Sequence, residues 1–246
     1  MINIESLNFK IKGHSILKQI NVQWETEKTH VLIGSSGCGK STLIRLILGL
    51  LPIQSGTIHL GDLVVQQKKQ NIIAKKVGYV IQDGGLFPHL SARKNVELVL
   101  KIHEITGKEQ KNRIEKLLHD LNLNPRIMDL YPRQLSGGQK QRVALMRALA
   151  HDPEYLFFDE PLSALDPMIR SELQKHLKSI FEKLKKTVVL VTHDMGEAAY
   201  FAHTITLMNQ GKIIQHSPYD EFFKNPQDPF VSEFINAQRQ PPELTL

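Results

Sequence analysis

The sequence predicts an α/β fold: a mostly parallel sheet, a region of antiparallel β structure, and an inserted α-helical subdomain. Three observations carry this. Apolar runs at residues 30–33, 155–158 and 187–191 have the length and continuity of strands buried on both faces, as in parallel sheets. The first of them stops at Gly34 and gives way to a glycine-rich loop, after which residues 41–48 place apolar side chains at helical spacing. Between about residues 84 and 150 the period turns helical and stays so.

The elements follow in order. Residues 2–11 and 16–24 read as strands, ahead of the strand–loop–helix unit at 30–48. Residues 56–60 and 77–81 read as further strands. Helices are expected at 95–105, 108–121 and 138–150, with Asn124-Pro125 breaking the middle of the segment. A helix at 168–184 joins the strands at 155–158 and 187–191. Residues 204–208 and 212–215 form an antiparallel pair around Asn209-Gln210-Gly211, and 218–237 gives two short helices. The expected organisation is a single domain over 1–246, with the helical insertion at 84–150 and a short C-terminal helical tail at 217–246.

The chain has 246 residues, of which 41% are apolar and 23% charged, an ordinary globular balance with enough length for a sizeable core. The apolar run at 43–51 is interrupted by Arg45 and Gly49 and is far short of the ~20 residues of a membrane span. Residues 1–10 lack the layout of a signal peptide. The expectation is a cytoplasmic protein without a membrane anchor of its own. The one cysteine, Cys38, excludes an internal disulfide and a cysteine-based zinc site. The net charge of +6 comes from short, scattered lysine runs with no aromatic-rich basic strand, which reads as a solvated surface and not as a nucleic-acid interface.

Two patterns carry chemistry on their own. Gly34-Ser35-Ser36-Gly37-Cys38-Gly39-Lys40-Ser41 fits the Walker A phosphate loop, G-x-x-x-x-G-K-[ST]. Its glycines let the backbone turn several N–H groups toward one point, and the dipole of the following helix adds to them. Lys40 is expected to reach the β and γ phosphates of ATP, Ser41 to offer its hydroxyl to Mg²⁺, and Thr42 to touch the α phosphate. Such a pattern arises by chance in on the order of one chain in a hundred. The second is Phe157-Phe158-Asp159-Glu160, a Walker B pattern at the end of an apolar strand. Asp159 is expected to serve Mg²⁺ and Glu160 to polarise the water that attacks the γ phosphate.

Leu135-Ser136-Gly137-Gly138-Gln139 is a second glycine turn at a helix N-terminus with a serine hydroxyl, hence a second anion site. It resembles the signature of the ABC (ATP-binding cassette) proteins, and the resemblance covers nearly the whole chain. It implies a phosphate-loop NTPase core of the ABC ATPase fold that hydrolyses ATP with Mg²⁺. It also implies a head-to-tail homodimer across two ATP, in which Ser136, Gly137, Gly138 and Gln139 face the partner's nucleotide. By the same resemblance Gln82 is the Q-loop glutamine and joins Mg²⁺, Asp166 belongs to the D-loop Ser163-Ala164-Leu165-Asp166, and His193 is the switch histidine that contacts the γ phosphate. Many family members stack an aromatic residue of the first strands on adenine. Ile11 takes that place here, with Phe9 two residues away on what reads as the same strand face.

Translation-type relatives carry two cassettes in one chain, and chromosome-type relatives interrupt the cassette with long coiled coils. This sequence is similar to neither, so the resemblance implies the motor of a membrane transporter. Its partners are separate transmembrane permease subunits, together with a substrate-binding protein, and it sits on the inner face of the membrane through them. The stretch Gly84-Gly85-Leu86-Phe87-Pro88-His89-Leu90-Ser91, and residues 228–235, look like the osmoprotectant (glycine betaine, choline, proline) importer branch. Many members of that branch continue into a C-terminal regulatory domain, and this sequence stops before one. Amino-acid importers and Mla-like phospholipid transporters share much of the pattern and stay open as alternatives.

Overall fold

The structure is a computed structural model, and it describes residues 1–163 and 167–239. In chain order the strands and helices are β1 (Ile2–Ile11), β2 (His14–Trp24), β3 (Thr29–Gly34), α1 (Lys40–Ile47), β4 (Ser55–Leu60), β5 (Leu63–Val64), α2 (Gln70–Lys76), β6 (Val77–Val80), α3 (Ala92–Ile102), α4 (Gly107–Asp120) and α5 (Gly137–Leu149). They continue with β7 (Tyr155–Asp159), α6 (Pro167–Leu184), β8 (Thr187–Val191), α7 (Met195–Phe201), β9 (Thr204–Asn209), β10 (Lys212–Pro218), α8 (Tyr219–Lys224) and α9 (Pro229–Arg239). The chain divides into two compact units, residues 1–73 with 189 onward, and residues 74–188, the boundary falling inside β8.

In the first unit, β2-β1-β4-β5 form an antiparallel sheet. Ile2, Ile4, Leu7 and Phe9 are its buried positions along β1. The step from Ile4 to Leu7 is three residues because the extra residue there is on β1, whereas two irregularities further along, at Leu7/Phe9 and Phe9/Lys10, put the extra residue on β2. A one-residue shift turns the following side chains to the other face. Phe9 is buried, while Ile11, at the end of β1, is exposed. β3 pairs in parallel with β9, which pairs antiparallel with β10. Every residue of β3 is buried, as its unbroken apolar run requires.

In the second unit, β6 pairs in parallel with β7, Val77 opposite Tyr155 and Val80 opposite Phe158. α5 presses on β6 so closely that a Cβ at Gly78 would lie 2.4 Å from the Ala148 carbonyl oxygen. Only a glycine strand position lets the helix approach that far. The helix expected at 95–105 begins earlier, at Ala92, because Ser91 caps it by accepting a hydrogen bond from the Lys94 N–H (3.3 Å). The break at Asn124-Pro125 is a short 3₁₀ turn capped by the Asn124 side chain. β5, α2 and α7 were not anticipated. They are two to seven residues long, too short for a period to declare itself. No helix among the described residues is long and apolar enough to cross a membrane.

A buried polar cluster under the first unit makes its stability depend on pH. Trp24, fully buried, donates from Nε1 to the Thr206 hydroxyl (3.1 Å) and stacks on His30. His30 is 1% exposed, with Nε2 2.8 Å from the Glu25 carbonyl oxygen and Nδ1 2.7 Å from the Thr204 hydroxyl. A carbonyl only accepts, so the neutral ring carries its proton on Nε2 and accepts from Thr204. Burial pushes the His30 pKa down to about 4; the Glu25 carbonyl and carboxylate oppose the shift, while His216 and His203 add to it. The folded chain then binds fewer protons than the unfolded chain between the ordinary histidine pKa and about 4. Stability contributed by His30 is fully present above pH ~6.5 and is lost as pH falls through that window. Urea unfolding at pH 7 and pH 5 should show a loss on the order of 2 kcal/mol from this residue. An NMR titration should find the His30 ring neutral at pH 5; a ring that is charged there contradicts the assignment.

Candidate functional site

The first unit holds the phosphate loop. β3 ends against β9 so tightly that a Cβ at Gly34 would lie 2.2 Å from the Met208 carbonyl oxygen and 2.9 Å from Cys38 Sγ, and Gly34 has φ +150°. No other residue fits that step. The loop turns with the Cys38 N–H donating to the Ser35 carbonyl (3.3 Å) and enters α1 through Gly39. Ser35, Ser36 and Gly37 are exposed, while Cys38, Gly39 and Lys40 are buried. The Lys40 ammonium donates to the carbonyls of Gly34 (2.8 Å) and Ser35 (3.0 Å), so the loop wraps its own cation. Ser41 and Thr42 follow, half-buried, in the first turn of α1. Cys38 packs beneath the loop, where its Sγ also accepts from the Lys40 ammonium (3.9 Å).

The same unit carries His193, exposed, on the loop between β8 and α7. Thr192 donates to the Glu197 carboxylate (2.6 Å) and accepts from the Asp194 N–H (3.1 Å). Asp194 caps α7 by accepting from the N–H groups of Gly196 (2.6 Å) and Glu197 (3.1 Å). At the other end, the Thr192 N–H donates to the Leu32 carbonyl of β3 (3.2 Å).

The second unit gathers the carboxylates. Asp159 ends β7, and the Tyr79 hydroxyl of β6 donates to its Oδ2 (3.3 Å). Glu160 follows with φ +48°, a left-handed conformation unusual for a residue with a Cβ. Such strain persists where the surroundings over-determine it, and it re-aims the side chain at the end of the strand. Part of that support is visible: Ser163 Oγ donates to the Glu160 carbonyl (2.9 Å) and accepts from Gln82 Nε2 (3.1 Å). Gln82, Ser163 and Glu160 thus form one chain of contacts. Gln141 of α5 donates to the Gln82 carbonyl (2.8 Å), and Arg147 of α5 donates to the carbonyls of Gly84 (2.8 Å) and Gly85 (2.6 Å). Asn95, fully buried, fixes the following turn by accepting from the Phe87 N–H (2.7 Å) and donating to the Leu90 carbonyl (3.0 Å).

Ser136 caps α5 through a capping box: its Oγ accepts from the Gln139 N–H (3.3 Å) while Gln139 Oε1 accepts from the Ser136 N–H (3.0 Å). Ser136 and Gly137 are exposed, Gly138 is buried and Gln139 half-buried. Asp166 lies outside the described residues. Sequence reasoning missed Tyr79, Gln141 and Arg147 as supports of the site. Tyr79 is one strand step from a recognisable motif, but no spacing rule pairs it with Asp159; only the register of β6 on β7 does.

Comparison with known proteins places this geometry. Residues 17–163 match the family model described as ABC transporter. The chain is 37% identical over 240 residues to the choline transport ATP-binding protein OpuBA of Bacillus subtilis, covering 97% of this chain and 63% of that protein. It is 38% identical, with the same coverage, to the glycine betaine/carnitine/choline transport ATP-binding protein OpuCA of Bacillus subtilis. The chain thus spans less than two thirds of the length of these two relatives. It is 40% identical over 238 residues to a probable sulfate/thiosulfate import ATP-binding protein, CysA, of Chlorella vulgaris, covering 96% of this chain and 99% of that one. Among solved structures, the dimeric ATP-binding cassette MJ0796 bound to ADP and phosphate superposes with a TM-score of 0.78 at 30% identity, over 89% of this chain and 99% of that one. The cassette cbiO1 of Clostridium perfringens, part of the transporter complex cbiONQ, superposes with a TM-score of 0.81 at 27% identity, over 97% of this chain and 95% of that one. The fold is that of an ABC ATPase cassette, and the chain belongs to the ABC transporter family.

Proposed function

We propose that this chain is the ATP-hydrolysing motor subunit of an ABC importer, taking up an osmoprotectant of the quaternary-ammonium kind. The observation that carries the ATPase reading is the presence of two separate anion devices, each at a helix N-terminus: the loop that wraps Lys40, and the capped turn at Ser136. One device suffices to hold a nucleotide. Two in different units of one chain fit a homodimer whose members share each ATP head to tail; one solved relative is dimeric and bound to ADP and phosphate. The importer reading rests on the relatives named for choline and glycine betaine transport. None of the relatives described above is named for amino-acid import or phospholipid transport. The helical segment 84–150 acts in this reading as the inserted subdomain, and 217–246 as the helical tail. Separate permease subunits would bring the chain to the inner face of the membrane, with a substrate-binding protein delivering cargo and no nucleic acid involved.

The residues present fit the nucleotide and its metal. At Gly34 the backbone packs against Met208 and Cys38 with no room for a side chain, and the loop turns at once into the exposed Ser35, Ser36 and Gly37. Ser41 and Asp159, with the amide oxygen of Gln82, are hard oxygen donors of the kind Mg²⁺ takes. When bound, Mg²⁺ neutralises charge on the β and γ phosphates. Lys40 supplies a fixed positive charge for the same phosphates, with Ser35, Ser36, Gly37, Cys38, Gly39 and Thr42 lending the loop's backbone and hydroxyls. Glu160 orients the attacking water and accepts its proton. His193 donates to the γ phosphate. Asp166 belongs to the D-loop in this reading.

Glu160→Gln should bind ATP normally, cut turnover by roughly 10²–10⁴, and accumulate an ATP-bound dimer on gel filtration. Normal turnover in that variant removes Glu160 from the reaction, and the absence of a dimer in any nucleotide state removes the shared site. Lys40→Ala should lose nucleotide binding. Ser136→Arg should bind ATP as a monomer without closing, and His193→Ala should bind ATP and largely fail to turn over. Equal loss of binding in all three would detach Ser136 from the partner's nucleotide.

Phe9 is 4% exposed and packed in the sheet, while Ile11 is 45% exposed, so the adenine contact falls to Ile11, which has no π face. A base–aromatic stack is worth roughly 1–3 kcal/mol. Ile11→Tyr should tighten a fluorescent ATP analogue several-fold, and Phe9→Leu should leave its affinity unchanged. Weakened binding in Phe9→Leu, with no gain in Ile11→Tyr, would reverse the assignment.

A further inference from the structure

We propose that Gln238, near the end of α9, is a positioning residue for the loop that carries His193. Its side-chain amide spans that loop. Nε2 donates to the His193 carbonyl (2.7 Å) and Oε1 accepts from the Met195 N–H (2.8 Å), across sequence separations of 45 and 43 residues. The proposal rests on the reading of His193 as the residue that contacts the γ phosphate.

The geometry is specific. An amide head donates from one atom and accepts at another, and here it meets a carbonyl and an N–H on either side of Asp194. Within the loop, Thr192 bonds Glu197 and Asp194, and Asp194 bonds Gly196 and Glu197, while the Thr192 N–H reaches Leu32 of β3. These local bonds set the start of α7. The peptide that follows His193 carries the carbonyl that Gln238 holds. Rotation of that peptide would swing the imidazole. Gln238 fixes both of its flanks from outside the loop, so the His193 direction depends on where α9 sits. α9 in turn packs on β10, whose partner β9 pairs with the strand that leads into the phosphate loop. The histidine and the phosphate loop thus share one reference frame within the first unit.

The side chain of Gln238 is exposed, so removing it opens no cavity. This separates a positioning role from a stapling one. In the full-length chain, Gln238→Leu should lower the kcat of Mg²⁺-ATP hydrolysis by about three- to tenfold, the worth of one or two net hydrogen bonds. The KM for ATP, the affinity for a fluorescent ATP analogue and the thermal unfolding midpoint should stay as in the parent. Gln238→Glu, whose carboxylate accepts from Met195 but cannot donate to His193, should also slow turnover. Combined with His193→Ala, Gln238→Leu should slow the residual turnover no further, because its effect passes through the imidazole. Parent-like kcat in both Gln238 variants, while His193→Ala is slow, overturns the positioning role and leaves the role of His193 standing. A Gln238 effect that multiplies with His193→Ala, or that appears with a lowered unfolding midpoint and a raised KM, also overturns it. Parent-like kcat in His193→Ala would end both readings together.

Discussion

The approach of β3 to β9 at Gly34 is the contact on which the rest of the first unit depends. There the backbone passes so near the Met208 carbonyl that even one methyl group would collide with it. The chain must therefore leave the strand without a side chain, and it turns at once into the loop that encloses the Lys40 ammonium. A buried ammonium is costly unless its donors are met. Two carbonyls of the loop meet them, so the cation is held where the helix N-terminus also concentrates positive potential. Charge, backbone donors and helix dipole converge because of one packing distance, and α1, with no side-chain cap of its own, begins at that point.

The second unit solves a different problem with the same kind of contact. α5 must deliver Ser136 at one end and hold the loop after β6 along its length. It does so by lying against Gly78, with the Ala148 carbonyl near the strand, which sets how Gln141 and Arg147 reach the carbonyls of Gln82, Gly84 and Gly85. The signature turn and the Gln82 loop are therefore ends of one rigid element. Arg147 is half-buried, and burial lowers its pKa; the two carbonyls, and the face of Phe87 5.9 Å away, are what compensate it.

Much of this was legible in the sequence because the chemistry needs particular residues at particular spacing. The phosphate loop demands glycines followed by lysine and serine, and the strand ending in Asp159 and Glu160 demands an apolar run that stops at a carboxylate. Both are local, and local patterns survive without a fold. The supports were not legible, because they are made by register and by long-range packing. Tyr79 reaches Asp159 only through the β6/β7 pairing, and Gln238 reaches His193 from 45 residues away. Phe9 and Ile11 show the limit most plainly. They lie two residues apart on β1, yet Phe9 is buried and Ile11, at the strand's end, is exposed, a difference that alternation alone does not reveal. The strain at Glu160 is likewise invisible in the residue type, since glutamate carries no mark of a left-handed backbone.

The two anion devices differ in a way that bears on how the motor would cycle. Lys40 is a full charge held inside its own loop, suited to keeping a nucleotide on one subunit through many encounters. Ser136 is neutral. Its Oγ already accepts from the Gln139 N–H, which spends a lone pair on the cap and leaves the hydroxyl proton to donate. Gln139 closes the box from the other side, so the turn is rigid before any ligand arrives. A preorganised neutral donor adds little affinity on its own, of the order of one net hydrogen bond, and adds it only when the partner subunit brings a phosphate into reach. That asymmetry, strong on one face and weak on the other, is what a dimer needs if it is to close on ATP and reopen when the γ phosphate is gone.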